Sequence, residues 1–83
     1  MEQNTVLRTA FKGYHKMQVM VLIDGLNALI MAVESGAMPR EEAVQEAQAL
    51  LRKPIQKAFG GFRTDDVDVF FAGLLTKLKG ETK

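Results

Sequence analysis

The chain contains an apolar pattern that occurs twice, 48 residues apart. The stretch from Leu7 to Ile30 aligns with the stretch from Ile55 to Leu78, and seven of the 24 aligned positions are identical. Each copy has an aromatic–glycine turn followed by an apolar run of helix length. Because neither copy is large enough to bury a core by itself, the repeat predicts one domain built from two helical hooks.

Composition limits the classes of protein to which the chain could belong. The 83 residues suffice for one small domain, and 47% apolar residues is too many for a disordered chain. The chain has no Cys, so disulfides and thiolate metal sites cannot stabilise it, and oligomerisation is the remaining common route. The net charge of +1 argues against a nucleic-acid-binding module, which normally has a strongly basic face.

The sequence shows no targeting signal that would direct the chain out of the cytoplasm. Its first residues, Met1 to Asn4, are polar, and residues 1–6 are expected to form a polar tail and not a secretion signal. No apolar run is expected to be long enough to cross a bilayer. The expected location is therefore the cytoplasm.

The first helix is expected from about Lys16 to Ser35, because Gly36 suits the position just after a helix. All residues from Val19 to Ile23 are apolar, so every face of this helix is apolar there. Such a helix requires burial on all sides, which two other helices of a small chain do not easily provide. We therefore expect a homodimer or larger assembly, unless some of these residues are simply exposed. The expected interface consists of Met17, Val19, Met20, Ile23 and Phe71.

Two further helices are predicted from capping and breaking residues. A linking helix is expected over 39–53, since Pro39 suits a first turn and Pro54 stops the helix. The last helix is expected to begin near Thr64 as an N-cap and to end before Gly80. No segment shows the alternation of a strand, so an all-α fold is predicted. The expected organisation is a single domain over 1–83, with copy one at 7–35, the linking helix at 39–53 and copy two at 55–79.

The turns of both copies resemble those of the DivIVA N-terminal domain family. Residues 59–71 read Phe-Gly-Gly-Phe-Arg-Thr-Asp-Asp-Val-Asp-Val-Phe-Phe, which is similar to the family pattern Gly-Tyr-x-x-x-x-Val-Asp-x-Phe-Leu. Residues 11–14, Phe-Lys-Gly-Tyr, match the family turn but are not followed by its acidic residues. The two matches cover about half of the chain. It is also similar to small actinobacterial proteins that carry DivIVA domains in tandem.

The resemblance implies a non-catalytic cytoplasmic scaffold of cell division or polar growth, placed at the inner membrane face. It would self-associate and recruit other proteins, among them a larger DivIVA-like protein. The family's membrane-inserting pair corresponds to Phe11 and Lys12, while copy two has Phe59 followed by Gly60. An aromatic ring can enter the headgroup boundary while the cation meets anionic lipid. The alternative interpretation is that Phe11 and Phe59 are core residues that close the hinge.

The chain also departs from the family. It has no long coiled coil, so it cannot form filaments by that route. In the related GpsB group, the turn Tyr and nearby Asp residues hold Arg-containing peptides. The matching residues are divided here, with Tyr14 and Asp24 in copy one and Phe62 and Asp68 in copy two, so Asp24 and Asp68 are candidate contacts for a basic peptide. The expected structural hinge consists of Gly13, Tyr14, Gly61 and Phe62.

The residue inventory gives no support for catalysis, a cofactor or a metal. The lone His15 has no further ligands at suitable spacing, and no Ser or Thr has a recognisable base partner. Gly25 and Gly73 lie in the middle of predicted helices, where they are expected to lie near each other. The alternative function is a soluble protein-interaction or regulatory-subunit module without a membrane role.

Overall fold

A computed structural model describes residues 7–80, which form three helices with a two-stranded antiparallel ribbon at one end. The polar tail expected at 1–6 lies outside the described residues. In chain order the elements are β1 (Thr9–Tyr14), α1 (Lys16–Glu34), α2 (Arg40–Arg52), β2 (Lys57–Phe59) and α3 (Thr64–Lys79).

The predicted all-α fold is wrong, because the two turn segments are extended and pair with each other. In this antiparallel ribbon Lys12 lies opposite Phe59 and Gly13 lies opposite Ala58. β2 is only three residues long, and the six residues of β1, Thr-Ala-Phe-Lys-Gly-Tyr, do not alternate between apolar and polar. Their extended backbone is fixed by hydrogen bonds to a partner far away in the sequence, which local patterns do not encode.

The helix limits all lie within one residue of those predicted. α1 begins after His15, whose Nδ1 accepts a hydrogen bond from the backbone N–H of Gln18 at 3.4 Å. After α1, Gly36 has a φ of +81°, the left-handed conformation that favours glycine. At α3 the cap position is occupied by Arg63, so Thr64 is the first helical residue and not the expected N-cap.

α1 and α3 lie side by side and run in the same direction. α2 runs in the opposite direction and packs against both. α1 follows β1 directly, and Oη of Tyr14 lies 3.5 Å from Oδ1 of Asp68 near the start of α3, so both helices begin at the ribbon. Their far ends also meet, since one small cavity is lined by both Ile30 and Leu78. There Arg40, the first residue of α2, donates a 2.8 Å hydrogen bond from Nη1 to the carbonyl oxygen of Leu78.

The core lies between the three helices. Ala43 and Ala47 of α2 are fully buried, and their small side chains allow α2 to approach α1 and α3 closely. No polar side chain is buried among the described residues. The buried residues are Val19, Ile23, Leu26, Leu29, Ile30, Ala43, Ala47, Val67, Phe71 and Leu78.

Three of the five residues expected at a dimer interface lie in this core. Val19 is completely buried, and Ile23 and Phe71 are each 8% exposed within a single chain. Val19 and Ile23, at the two ends of the apolar stretch of α1, are therefore covered within one chain. Met20 and Val21, which lie between them, are exposed.

α1 is long and apolar enough to cross a membrane by length and composition, with a mean hydropathy of 1.5, so the expectation that no apolar run reaches that length is wrong. Only a third of this segment is buried, yet five of its residues lie in the core. The core helix of a globular domain meets the same criteria, so this property carries little weight.

The glycines in the middle of α1 and α3 do not meet as expected. A Cβ atom on Gly25 would lie 3.2 Å from Cδ1 of Leu50, so α2 covers this glycine. A Cβ atom on Gly73 would have no neighbour within 4 Å among residues 7–80.

Candidate functional site at the ribbon tip

Two buried glycines allow the strands of the ribbon to cross at close range. A Cβ atom on Gly13 would clash with the carbonyl oxygen of Phe62, and one on Gly61 would clash with the carbonyl oxygen of Tyr14. Neither glycine has a positive φ, so each is required by the close approach and not by an unusual backbone conformation. The four predicted hinge residues thus come together in one place.

Residues 48 positions apart make equivalent backbone contacts in the ribbon. The N–H of His15 donates to the carbonyl oxygen of Gln56 at 2.7 Å. The N–H of Arg63 donates to the carbonyl oxygen of Arg8, also at 2.7 Å. The donors His15 and Arg63 are 48 residues apart, and so are the acceptors Arg8 and Gln56, so the two bonds occupy equivalent positions in the two copies. The ribbon therefore has local two-fold character within one chain.

A second equivalent pair of contacts joins the residue before each strand to the helix of the other copy. Oε1 of Gln18 accepts a hydrogen bond from the N–H of Gln56 at 2.8 Å, and Oδ2 of Asp66 accepts one from the N–H of Arg8 at 3.0 Å. The second contact is reinforced by charge, because Nε and Nη2 of Arg8 donate to the two carboxylate oxygens at 2.9 and 2.8 Å. These hydrogen bonds from Arg8 lower the pKa of Asp66 to about 2.

The ribbon exposes two phenylalanine rings that contact each other. Phe11 is 81% exposed and Phe59 is 76% exposed, and their ring centroids lie 5.0 Å apart in an edge-to-face arrangement. The interpretation of both residues as core is wrong, because the strands pair through their backbones and no described element covers the rings. Within residues 7–80, these are the two most exposed large apolar side chains, and we name the part of the ribbon that carries them the ribbon tip.

The charged residues of the two segments that form the ribbon are all basic. Lys12 lies directly opposite Phe59 on the ribbon. Nζ of Lys57 lies 5.6 Å from the centre of the Tyr14 ring. The segments 7–14 and 55–62 contain no acidic residue. Lys57 was not among the residues singled out from the sequence, although it lies only two positions before Phe59.

The structure also brings together the Tyr and Asp that the sequence divides between the copies. Tyr14 Oη donates to Oδ1 of Asp68 at 3.5 Å beside a surface cavity of about 440 Å³. Burial, followed by the nearby Asp68 carboxylate, raises the pKa of Tyr14. Asp24 is exposed on α1 and does not line this cavity, whereas Arg52 and Lys53 do.

The remaining candidate residues are two methionines of α1. Met17 is 65% exposed and Met20 is 44% exposed, so both are available for contact with another molecule. Within residues 7–80 no three His, Asp or Glu side chains form a cluster that could hold a metal ion.

The chain matches no known protein-family description, no curated protein and no solved structure. The function is therefore inferred from the contacts of the chain itself.

Proposed function

We propose that this chain is a non-catalytic adaptor of the DivIVA type, which touches an anionic membrane surface with its ribbon tip and recruits other proteins through its helices. It would act at the inner membrane face during cell division or polar growth, self-associating and pairing with a larger DivIVA-like protein. The observation that carries the proposal is the exposed edge-to-face pair of Phe11 and Phe59.

The chemistry of the tip suits the boundary between lipid headgroups and acyl chains. Burying a Phe side chain contributes about 1.5–3 kcal/mol, and a Lys near an anionic surface contributes about 1 kcal/mol. The tip offers two rings, with Lys12 and Lys57 beside them and no acidic residue in either strand segment to repel anionic lipid. Such a tip binds weakly in a single chain, and several copies held together would bind much more strongly.

The equivalent contacts 48 residues apart support the inference that the two hooks derive from one duplicated motif. In this chain the hooks pair with each other, and that pairing places Phe11 beside Phe59. A single chain thus presents both aromatic residues on one side of the molecule.

Co-sedimentation with vesicles of phosphatidylcholine and phosphatidylserine at low salt tests the membrane role. The wild-type chain should pellet with anionic vesicles and stay in solution with neutral ones. The Phe11→Ala/Lys12→Ala variant should lose pelleting, whereas Met31→Ala, which removes an equally apolar side chain that is 67% exposed on α1, should not. If the wild type fails to pellet, the membrane role is excluded and the soluble adaptor is favoured.

A soluble adaptor that holds a basic peptide is the second candidate, favoured by the contact between Tyr14 and Asp68 at the 440 Å³ cavity. Asp68 would accept hydrogen bonds from a guanidinium group while the apolar lining holds the neighbouring residues. Fluorescence anisotropy with a labelled Arg-containing peptide tests it. Asp68→Asn should weaken binding and Asp24→Asn should not. Equal binding by both variants would contradict this site.

A further inference from the structure

α2 covers only one of the two faces of the α1–α3 pair. On α1 it lies over Gly25, and on α3 it shares a cavity with Phe71 and Leu75. By helical spacing, the opposite side presents Met20 of α1 together with Phe70, Gly73 and Leu74 of α3. We name these four residues the open face.

When its residues are shifted by 48 positions, the open face corresponds to the surface of the α1–α3 pair that α2 covers. At Gly25 the space above the missing side chain is filled by Leu50, whereas the space above Gly73 is empty. A glycine inside an exposed helix costs about 1 kcal/mol relative to alanine, and no contact or positive φ among the described residues requires one at this position. Around it, Met20 is 44% exposed, and Phe70 and Leu74 are half-buried.

We propose that a second copy of this chain covers the open face. The patch carries both a recess at Gly73 and protruding apolar side chains at Phe70 and Met20. A patch with both features can be complementary to itself, as a two-fold interface requires. This proposal rests on the self-association included in the proposed function, and it assigns the surface that carries it.

The charges on the second halves of α1 and α3 also favour a second copy. From residue 24 to the end of α1 the only charged residues are Asp24 and Glu34, and in the second half of α3 they are Lys77 and Lys79. None of these four forms an ion pair within residues 7–80. A two-fold rotation about an axis parallel to the helices places α1 of one copy over α3 of the other, so acidic and basic segments face each other.

This arrangement has a consequence for the ribbon tips. Because α1 and α3 both begin at the ribbon, a rotation about an axis along the helices leaves both tips at the same end of the dimer. Two Phe11–Phe59 pairs would then face one surface.

The experiment is sedimentation velocity of the full chain without lipid, comparing the wild type with Gly73→Gln. A Cβ atom at this position contacts nothing within residues 7–80, and Gln favours a helix more than Gly does, so the variant should fold with an unchanged or higher Tm. It would obstruct the second copy, and we expect its dimer dissociation constant to rise at least about tenfold. Ala28→Gln, an exposed site on a different side of α1, should leave the dimer unchanged.

A wild-type chain that sediments as a 9.2 kDa monomer at its highest soluble concentration would overturn the proposal. A Gly73→Gln dimer as stable as that of the wild type would also overturn it. The sedimentation-velocity experiment contains no vesicles. A monomeric wild-type chain would therefore not change the result of vesicle co-sedimentation, and a wild-type chain that does not bind vesicles could still form the dimer.

Discussion

Gly13 and Gly61 each lie against the backbone of the other hook, Gly13 against the carbonyl group of Phe62 and Gly61 against that of Tyr14. This reciprocal contact lets the two strands cross without a side chain between them. It fixes the ribbon, and the ribbon in turn places Phe11 and Phe59 side by side. The glycine crossing therefore connects the repeat in the sequence to the exposed aromatic tip.

The first prediction concerns this crossing. Gly13→Ala and Gly61→Ala should each lower the free energy of unfolding by at least about 1–3 kcal/mol. The added methyl group would clash with backbone atoms of the other hook, which can move aside only if the ribbon is distorted. Urea denaturation followed by circular dichroism measures the loss. Thr9→Ala, at an exposed position of β1, serves as the control and should change stability little. Wild-type stability in both glycine variants would show that the strands do not cross at these residues.

The second prediction concerns Val19 and Val67, which are equivalent under the 48-residue shift and fully buried. Val19→Ala and Val67→Ala should each cost about 2 kcal/mol, because each removes buried apolar surface from the same core. Val19→Asp should unfold the chain, since the core offers no partner for a buried carboxylate. Thermal unfolding measures all three variants. A folded but monomeric Val19→Asp variant would instead mean that Val19 lies at an interface.

The third prediction concerns the acid dependence of stability. Arg8 holds the pKa of Asp66 at about 2 in the folded chain, below the value of about 3.9 expected when unfolded. The unfolded carboxylate therefore binds a proton first as pH falls. The stabilisation is complete above about pH 4 and is lost as pH falls towards 2.

Asp66→Asn and Arg8→Gln should both give a shallower loss of stability between pH 4 and pH 2 than the wild type. Combining the two changes should add little to either alone, because both remove the same contact. Urea midpoints measured across this pH range provide the test. If the stability of the wild type and of the variants fell equally between pH 4 and pH 2, the hydrogen-bonded ion pair of Arg8 and Asp66 would not be formed in solution.

The helices could be predicted from the sequence because their signals are local. Gly36 and Pro54 end helices through their own backbone chemistry, so each limit was predictable to within one residue. The ribbon could not be predicted in this way. Its strands are held by partners about 48 residues distant, and a run such as Lys57–Phe59 has no strand pattern of its own.

The candidate site was only partly predictable, because hydrophobicity does not fix location. Phe11 and Phe59 could be singled out from the sequence, but a Phe in an aromatic–glycine turn is as compatible with a core as with a surface. Val19 and Ile23 were expected at a dimer interface but are buried within one chain. An apolar sequence does not indicate whether the residues that bury it belong to the same chain or to another. Only the three-dimensional pairing of the two hooks separates these cases.

The most direct test of the membrane proposal uses a single tryptophan, which the natural sequence lacks. In a Phe11→Trp variant, fluorescence should shift to shorter wavelength when vesicles of phosphatidylcholine and phosphatidylserine are added, because the ring moves out of water. Met31→Trp, on the exposed side of α1, should show no shift under the same conditions. A Phe11→Trp spectrum that stays unchanged with anionic vesicles at low salt would contradict the proposal that the ribbon tip enters a membrane.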